Sequence, residues 1–281
     1  MTALGTLGKT AFAQASGPGL DVAVAQFALN LEYLEAEFYT YAVFGTGIET
    51  QGIAVAGSGT AGTVTIKPNP AVPFQDAAIR QYAEEIGQDE RSHVTLFRSA
   101  LSTAGAQPVA RPAINLRESF NTLAQVAGIV PAGGTFDPFA NDVNFLLGAF
   151  IFEDVGVTLF AGAARVLTNK DILESSAGVL AVEGYHAGNI RVNIFARGQA
   201  APADPNGPIA IAQKISDLRK QLSGADDDQG VVLNGRANIV PTDSMGRAFR
   251  RTPRQGLNIV YGAVNASNGL FFPNGLNGTI K

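Results

Sequence analysis

The chain has 281 residues, 46% of them hydrophobic and 16% charged, with a net charge of −4. That is enough apolar material for one large domain with an appendage, and the lack of any basic block excludes nucleic acid and anionic membrane surfaces as partners. There is no cysteine, which excludes disulfides, thiolate ligands and cysteine nucleophiles, and no apolar run is expected to span a membrane.

Residues 1–19 read as an N-terminal arm or signal remnant. Ala11-Phe12-Ala13-Gln14 has the small-x-small character of a secretory cleavage site, behind a short apolar stretch interrupted by Lys9. This favours an exported destination, periplasmic or extracellular; a docking arm is the other reading. A first helix is predicted from Asp21, as its cap, to Phe44, where Gly45 and Gly47 stop it. Val24, Phe27, Leu31, Leu34, Phe38 and Tyr41 make one apolar stripe. A second stripe holds Ala25, Ala28, Glu32, Glu35 and Tyr39, with carboxylates where apolar side chains belong. Asn30, Tyr33, Glu37 and Thr40 form the wetter face, so Glu37 is expected to be solvated.

Residues 45–72 are rich in Gly, Ala and Thr and alternate over Thr63–Lys67, predicting a β-hairpin inserted before the second helix. That helix runs from Asp76 to Thr103, with a core stripe of Ile79, Ala83, Ile86, Glu90, His93, Phe97 and Leu101. Arg80, Glu84 and Arg91 read as an ordinary charged surface. A long connection over 105–140, with a short helix near Leu116–Ala127, leads to a third helix, Asp142–Leu167. There Glu153 interrupts the row Leu146, Phe150, Val157 and Phe160. After a short turn, a fourth helix over Ile172–Ala196 carries Ile172, Ser176, Val179, Glu183, His186 and Ile190 on one face. A fifth helix is expected over Ile209–Leu222. The run Asp226-Asp227-Asp228 lacks the spaced ligands of a calcium loop and reads as a solvated turn. β-prone runs at Gly230–Leu233, Asn258–Tyr261 and Leu270–Phe272 complete an irregular tail.

Short links within each helix pair and one long connection between the pairs describe a mainly α, antiparallel four-helix bundle with a single crossover, the ferritin-like arrangement. It occupies residues 20–200, and residues 201–281 pack on it. The chain has only two histidines, each three residues after a glutamate, in Glu90-Arg-Ser-His93 and Glu183-Gly-Tyr-His186. Two Glu-x-x-His helices plus one glutamate from each of two others form the ligand set of a dinuclear carboxylate site. Glu32 and Glu153 lie at similar depth in their helices. The assigned ligands are therefore Glu32, Glu90, His93, Glu153, Glu183 and His186, with Glu90 and Glu183 as the bridging pair and Glu35 as a substitute for Glu32. Asp154 is expected to orient a ligand histidine, and Tyr39 to hydrogen-bond the site. Four buried carboxylates need four compensating charges, which two divalent manganese or iron ions supply; without metal the site should hold protons instead.

Asn30-Leu-Glu-Tyr-Leu-Glu-Ala-Glu-Phe-Tyr39 and Asp89-Glu-Arg-Ser-His93 resemble the ferritin-like desiccation-related proteins of plants, bacteria and fungi. So do Thr252-Pro253-Arg254 with Asn258–Tyr261, and Phe271–Gly278 in the tail. The resemblance implies a stress-associated protein with a ferritin-like bundle. The placement of Glu32 with Tyr39 is also similar to that in bacterioferritins and manganese catalases. Three functions follow as expectations. One is catalase-like or peroxide- or dioxygen-reducing chemistry at a dinuclear centre. A second is ferroxidase activity with iron storage, which the insertion and tail oppose by crowding a closed shell. The third is a non-enzymatic protective or structural protein with a vestigial metal site. The apolar, glycine-rich tail makes a homo-oligomer an expectation as well.

Overall fold

The structure is a computed structural model and describes residues 18–281; the N-terminal signal-like segment lies outside the described residues. Four long helices build the bundle: α1 (Pro18–Phe44), α2 (Ala77–Thr103), α4 (Asp142–Ala163) and α5 (Lys170–Gly198). Arg98 donates to Tyr33 and Arg91 to Thr40. Seven residues forward on α1 thus match seven backward on α2, so the pair is antiparallel. Side-chain caps set the starts: Asp76 accepts from Ala78, Asn141 from Asn144, and Asn169 from Asp171 and Ile172. Asp21 does not cap α1, which already begins at Pro18. Its carboxylate accepts from the backbone of Thr168 and Asn169, tying α1 to the α4–α5 turn.

α4 is 22 residues long and its most apolar 18-residue window has a mean hydropathy of 1.7, apolar enough by length and composition to cross a membrane. The expectation that no such run exists is corrected, but 89% of its most apolar window is buried inside the protein. α4 is the central helix, covered by the rest of the bundle and by the tail, and that is why it is apolar nearly all round, with Glu153 and Asp154 as the buried exceptions. Phe145 on α4 stacks on Phe38 of α1, and Phe120 of the crossover helix α3 (Glu118–Val126) packs beside them.

The insertion between α1 and α2 is not a hairpin. After a short 3-10 turn at Ile48–Gln51, strand β1 (Val64–Thr65) pairs in parallel with β2 (Ile114–Asn115) of the crossover. Only residues 63–67 alternate, so they have no local partner and take one from the remote segment. The same alignment extends back along the chain, with Ser58 donating to Pro108 and Arg111 to Val55. The tail lies over this layer. Asn277 accepts from Thr60, donates to Ala110 and exchanges hydrogen bonds with Asn30 on α1.

This covering reverses the expectation of a wet face on α1. Asn30, Tyr33, Glu37 and Thr40 are all fully buried. Glu37 is not solvated; it accepts from the Ile48 backbone and pairs with Arg111 of the crossover. Arg91 is likewise buried, against Thr40.

Beyond the bundle come α6 (Pro208–Ser223), the short antiparallel pair β3 (Val232–Leu233) and β4 (Arg236–Ala237), and α7 (Pro253–Tyr261). α7 replaces the strand expected at Asn258–Tyr261. Thr252 and Gln255 form a reciprocal capping box, Pro253 opens the first turn and left-handed Gly262 ends the helix. The acidic run is not a solvated turn either. Asp227 and Asp228 are buried, and Arg251 donates to both, at 2.9 and 2.7 Å. Arg219 on α6 bridges Asp228 at 2.8 Å to Asp154 on α4 at 2.7 Å, and Arg191 on α5 donates to the same Asp154 oxygen at 2.7 Å. Three arginines and three aspartates thus lock α4, α5, α6 and the tail in a network with no net charge.

Removing one member of such a network strands the others in the interior. Asp228→Ala should lower the unfolding free energy by about 3–5 kcal/mol, read as a shifted urea midpoint.

Candidate metal centre

The i, i+3 spacing of Glu90 with His93 and of Glu183 with His186 places each pair on one helix face, and the apolar stripes turn those faces inward. Glu32 on α1 and Glu153 on α4 point into the same level of the core. All six side chains are buried. The structure brings them together as two groups of ligand-type atoms, each within 4.8 Å of one another: Glu32, Glu90, His93 and Glu183 in one, and Glu90, Glu153 and His186 in the other. Glu90 is common to both. Glu183, expected as its bridging partner, falls in the first group only.

His93 Nδ1 lies 3.2 Å from Glu32 Oε2, 3.3 Å from Glu90 Oε2 and 3.9 Å from Glu183 Oε1. His186 Nδ1 lies 2.9 Å from Glu90 Oε1 and 3.4 Å from Glu153 Oε2. These approaches are close, yet His186 Nδ1, Glu90 Oε1, Glu153 Oε2, Glu32 Oε2 and both Glu183 oxygens make no hydrogen bond. Buried polar atoms are rarely left so, because each orphan costs about 1–3 kcal/mol. Nitrogen and oxygen lone pairs that face a common point without bonding one another fit a cation between them. The donor set of carboxylates and imidazoles suits iron, manganese or zinc.

The backbone makes room for this convergence. A Cβ at Gly156 of α4 would sit 2.2 Å from Glu183 Oε2, so glycine at that position is what lets the carboxylate reach the site.

Two further contacts hold these side chains. Tyr39 donates to Glu153 Oε1, as its place on the stripe predicts. His186 Nε2 faces Asp89 Oδ2 at 3.2 Å, which directs the Nδ1 lone pair inward. Asp89, and not Asp154 as expected, is therefore the carboxylate that faces a histidine, while Asp154 is held by Arg191 and Arg219. Asp89 gave no core signal because its side chain is 43% exposed; adjacency to Glu90 was its one mark. Glu35 is buried near Glu90, Glu153 and Glu32, but its oxygens join neither ligand group.

Protonation follows the same crowding. Burial pushes the Glu32 carboxyl up to about 8 against the pull of His93. Burial and the surrounding carboxylates drive Glu35 and Glu183 well above the usual carboxylate range. Glu90 goes the other way: burial opposes its charge, but the His186 and His93 imidazoles outweigh burial and hold it low. Burial also opposes the imidazolium forms, and the glutamates overcome it, raising His93 to about 11 and His186 to about 12.

A family model described as a ferritin-like domain matches residues 20–195. A desiccation-related protein of Craterostigma plantagineum is 32% identical over 270 residues, covering 91% of this chain and 82% of that protein. A ferritin-like catalase of Nesocodon mauritianus is 28% identical over 273 residues, covering 92% of this chain and 84% of that protein. No solved structure matches the chain.

Two outcomes are expected from this geometry. Gly156→Ala should cost little stability, since the far end of a flexible side chain can yield, but it should displace Glu183 and reduce bound metal; thermal unfolding beside metal analysis separates the two effects. The second concerns pH. Without metal, the folded chain keeps protons on Glu32 to about 8 and on His93 to about 11, where the unfolded chain releases them near 4.5 and 6.5. The folded state therefore binds more protons through neutrality, and its stability falls as pH rises. The histidine contribution is fully present below 6.5 and is lost towards 11. Chelator-treated protein should melt at a lower temperature at about pH 8 than at about pH 5, whereas bound metal, which requires deprotonated ligands, should oppose that trend.

Proposed function

The chain belongs to the ferritin-like family, among its desiccation-related members, and on that premise we propose that it binds two manganese or iron ions and carries out catalase-like chemistry on hydrogen peroxide. The observation that carries this reading is the set of six buried, unbonded donor atoms on Glu32, Glu90, Glu153, Glu183 and His186. Glu32, Glu90, His93 and Glu183 would hold one ion, and Glu90, Glu153 and His186 the other. When bound, such ions supply a redox couple that carboxylate and imidazole lack.

The chain's own residues do the rest. Asp89 fixes the His186 ring, and the Tyr39 hydroxyl holds Glu153 by donating to Oε1. Burial and the neighbouring carboxylates raise the Glu35 carboxyl well above the ordinary range. The four carboxylates among the proposed ligands, Glu32, Glu90, Glu153 and Glu183, balance the four charges of two divalent ions. Apolar walls exclude bulk water, which strengthens every electrostatic contact inside. The overall change balances as a dismutation: one peroxide gives up two protons and two electrons and leaves as dioxygen, and a second takes up both and leaves as two waters.

A second reading, a protective protein in which the metal serves only to hold the bundle, draws on the complete burial of the cluster and the balanced arginine–aspartate network. The experiment that separates them is metal analysis on protein expressed with iron and manganese both available, followed by oxygen evolution from peroxide. About two ions per chain, lost together in Glu90→Ala/Glu183→Ala, with oxygen release that follows metal content, is the expected result. Full occupancy without oxygen release would leave the structural reading, and a folded chain that takes up no redox metal would remove both.

A further inference from the structure

An interior cavity runs beside the cluster between α1, α4 and α7, with about 50 Å³ of free interior space. On α1 it extends from Val24 to Glu35, eleven residues or about 16 Å at the helical rise. α1 and α4 are antiparallel, since Asp21 bonds the turn after α4 while Tyr39 bonds Glu153. The cavity therefore follows the bundle axis from the level of Glu32, Glu35 and Gly156 towards half-buried Ala163 and Pro253. Its walls are carried by Ala25, Ala28, Leu31, Ile151, Leu159 and Phe160. Among the described lining residues the polar side chains are Glu32 and Glu35, at the inner end, and Ser176.

We propose that this cavity is a dioxygen site, and that it connects the carboxylates of Glu32 and Glu35 with the end of the bundle. Its size and lining select the occupant. One small molecule needs about 10–15 Å³ by this measure, and a cavity that binds benzene has about 150 Å³, so 50 Å³ admits two-atom molecules and excludes a ring. Water and hydrogen peroxide each bring two O–H donors, and the walls offer no acceptor along most of their length. Leaving such donors unmet costs about 1–3 kcal/mol each. Dioxygen has no donor and loses nothing there. Ala25 and Ala28, one turn apart on α1, are the small side chains that keep the space open. The part this site plays in turnover, as the exit of dioxygen formed from peroxide, rests on the function proposed above; the presence of dioxygen in the cavity does not.

The test is methyl relaxation by nuclear magnetic resonance on the full-length, chelator-treated protein under raised oxygen pressure, where paramagnetic dioxygen marks the methyls it visits. Methyls of Ala25, Ala28, Leu31, Ile151 and Leu159 should relax several-fold faster than those of Ile114 and Val231, which are fully buried away from the cavity. Ala28→Leu should abolish the difference; where that variant does not fold, Ala25→Val serves the same purpose. Equal relaxation at both sets of methyls, or nuclear Overhauser contacts from water to the cavity methyls, would overturn the proposal. Because the protein is metal-free, the outcome is independent of whether the cluster takes up metal, which metal analysis decides separately.

Discussion

Five carboxylates and two imidazoles buried at one level of an apolar bundle are the constraint on which the rest of this structure depends. Glu32, Glu35, Glu90, Glu153 and Glu183 cannot all ionise there without compensation, since each is desolvated and each repels the others. α4 shows how the protein treats such charges. Glu153 and Asp154 are consecutive, both buried, and turned to different sides of the helix. Asp154 meets two arginines and is neutralised within a network of three cations and three anions. Glu153 receives one hydrogen bond from Tyr39 and a facing imidazole, and one of its oxygens is left unbonded. The chain therefore has the means to neutralise an acid in its interior and does not fully apply it at the cluster. That contrast is the strongest physical argument for a cation there.

The second consequence is enclosure. A four-helix bundle by itself leaves each helix with one solvated face, yet α1 is buried almost all round. The insertion, the crossover and the tail form a layer over α1. That layer is joined by the parallel β1–β2 pair, by Asn277 and by the Glu37–Arg111 ion pair. Excluding water this thoroughly raises the cost of every unpaired charge inside and raises the value of each supporting contact, such as Asp89 on His186.

The bundle and the convergence of the buried glutamates and histidines were legible in the sequence because both rest on local periodicity. A charged residue in an apolar 3.6-residue row is conspicuous, and Glu90, His93, Glu153, Glu183 and His186 all stand in such rows. What was not legible depends on partners remote in sequence. Glu37 looks solvated until Arg111, 74 residues away, is placed beside it. Asp227 and Asp228 look like a surface turn until Arg251 and Arg219 arrive. The β-rich reading of residues 63–67 was sound locally, but strand pairing is a long-range choice, and the partner proved to be the crossover. Asp89 and Asp154 each sit beside a glutamate of the cluster; only the packing of α5 and α6 decides which one meets a histidine and which one meets arginine. At Asn258–Tyr261, the opposite error arose: the capping box and the Pro253 start, both local signals, outweighed β-propensity.

Enclosure and reactivity place opposing demands on the same site. A cluster sealed against water keeps its electrostatics strong, but under the peroxide chemistry proposed above reactants and products must still pass, and they differ in polarity. Peroxide and water carry hydrogen-bond donors and need a polar path; the rim of the site where Asp89 remains 43% exposed beside His186 is one place that retains polar atoms near the surface. Dioxygen needs none, and an apolar lining admits it while excluding water. On that proposal, separate surfaces for polar and apolar species would let the cluster exchange small molecules without solvating its carboxylates. The small residues that permit this, Gly156 at the cluster and Ala25 and Ala28 beside it, lie on the two helices that carry Glu32 and Glu153. The placement of the cluster's carboxylates and the shape of the cavity beside them are thus set by the same α1–α4 interface, and a change in its side-chain volume alters both together.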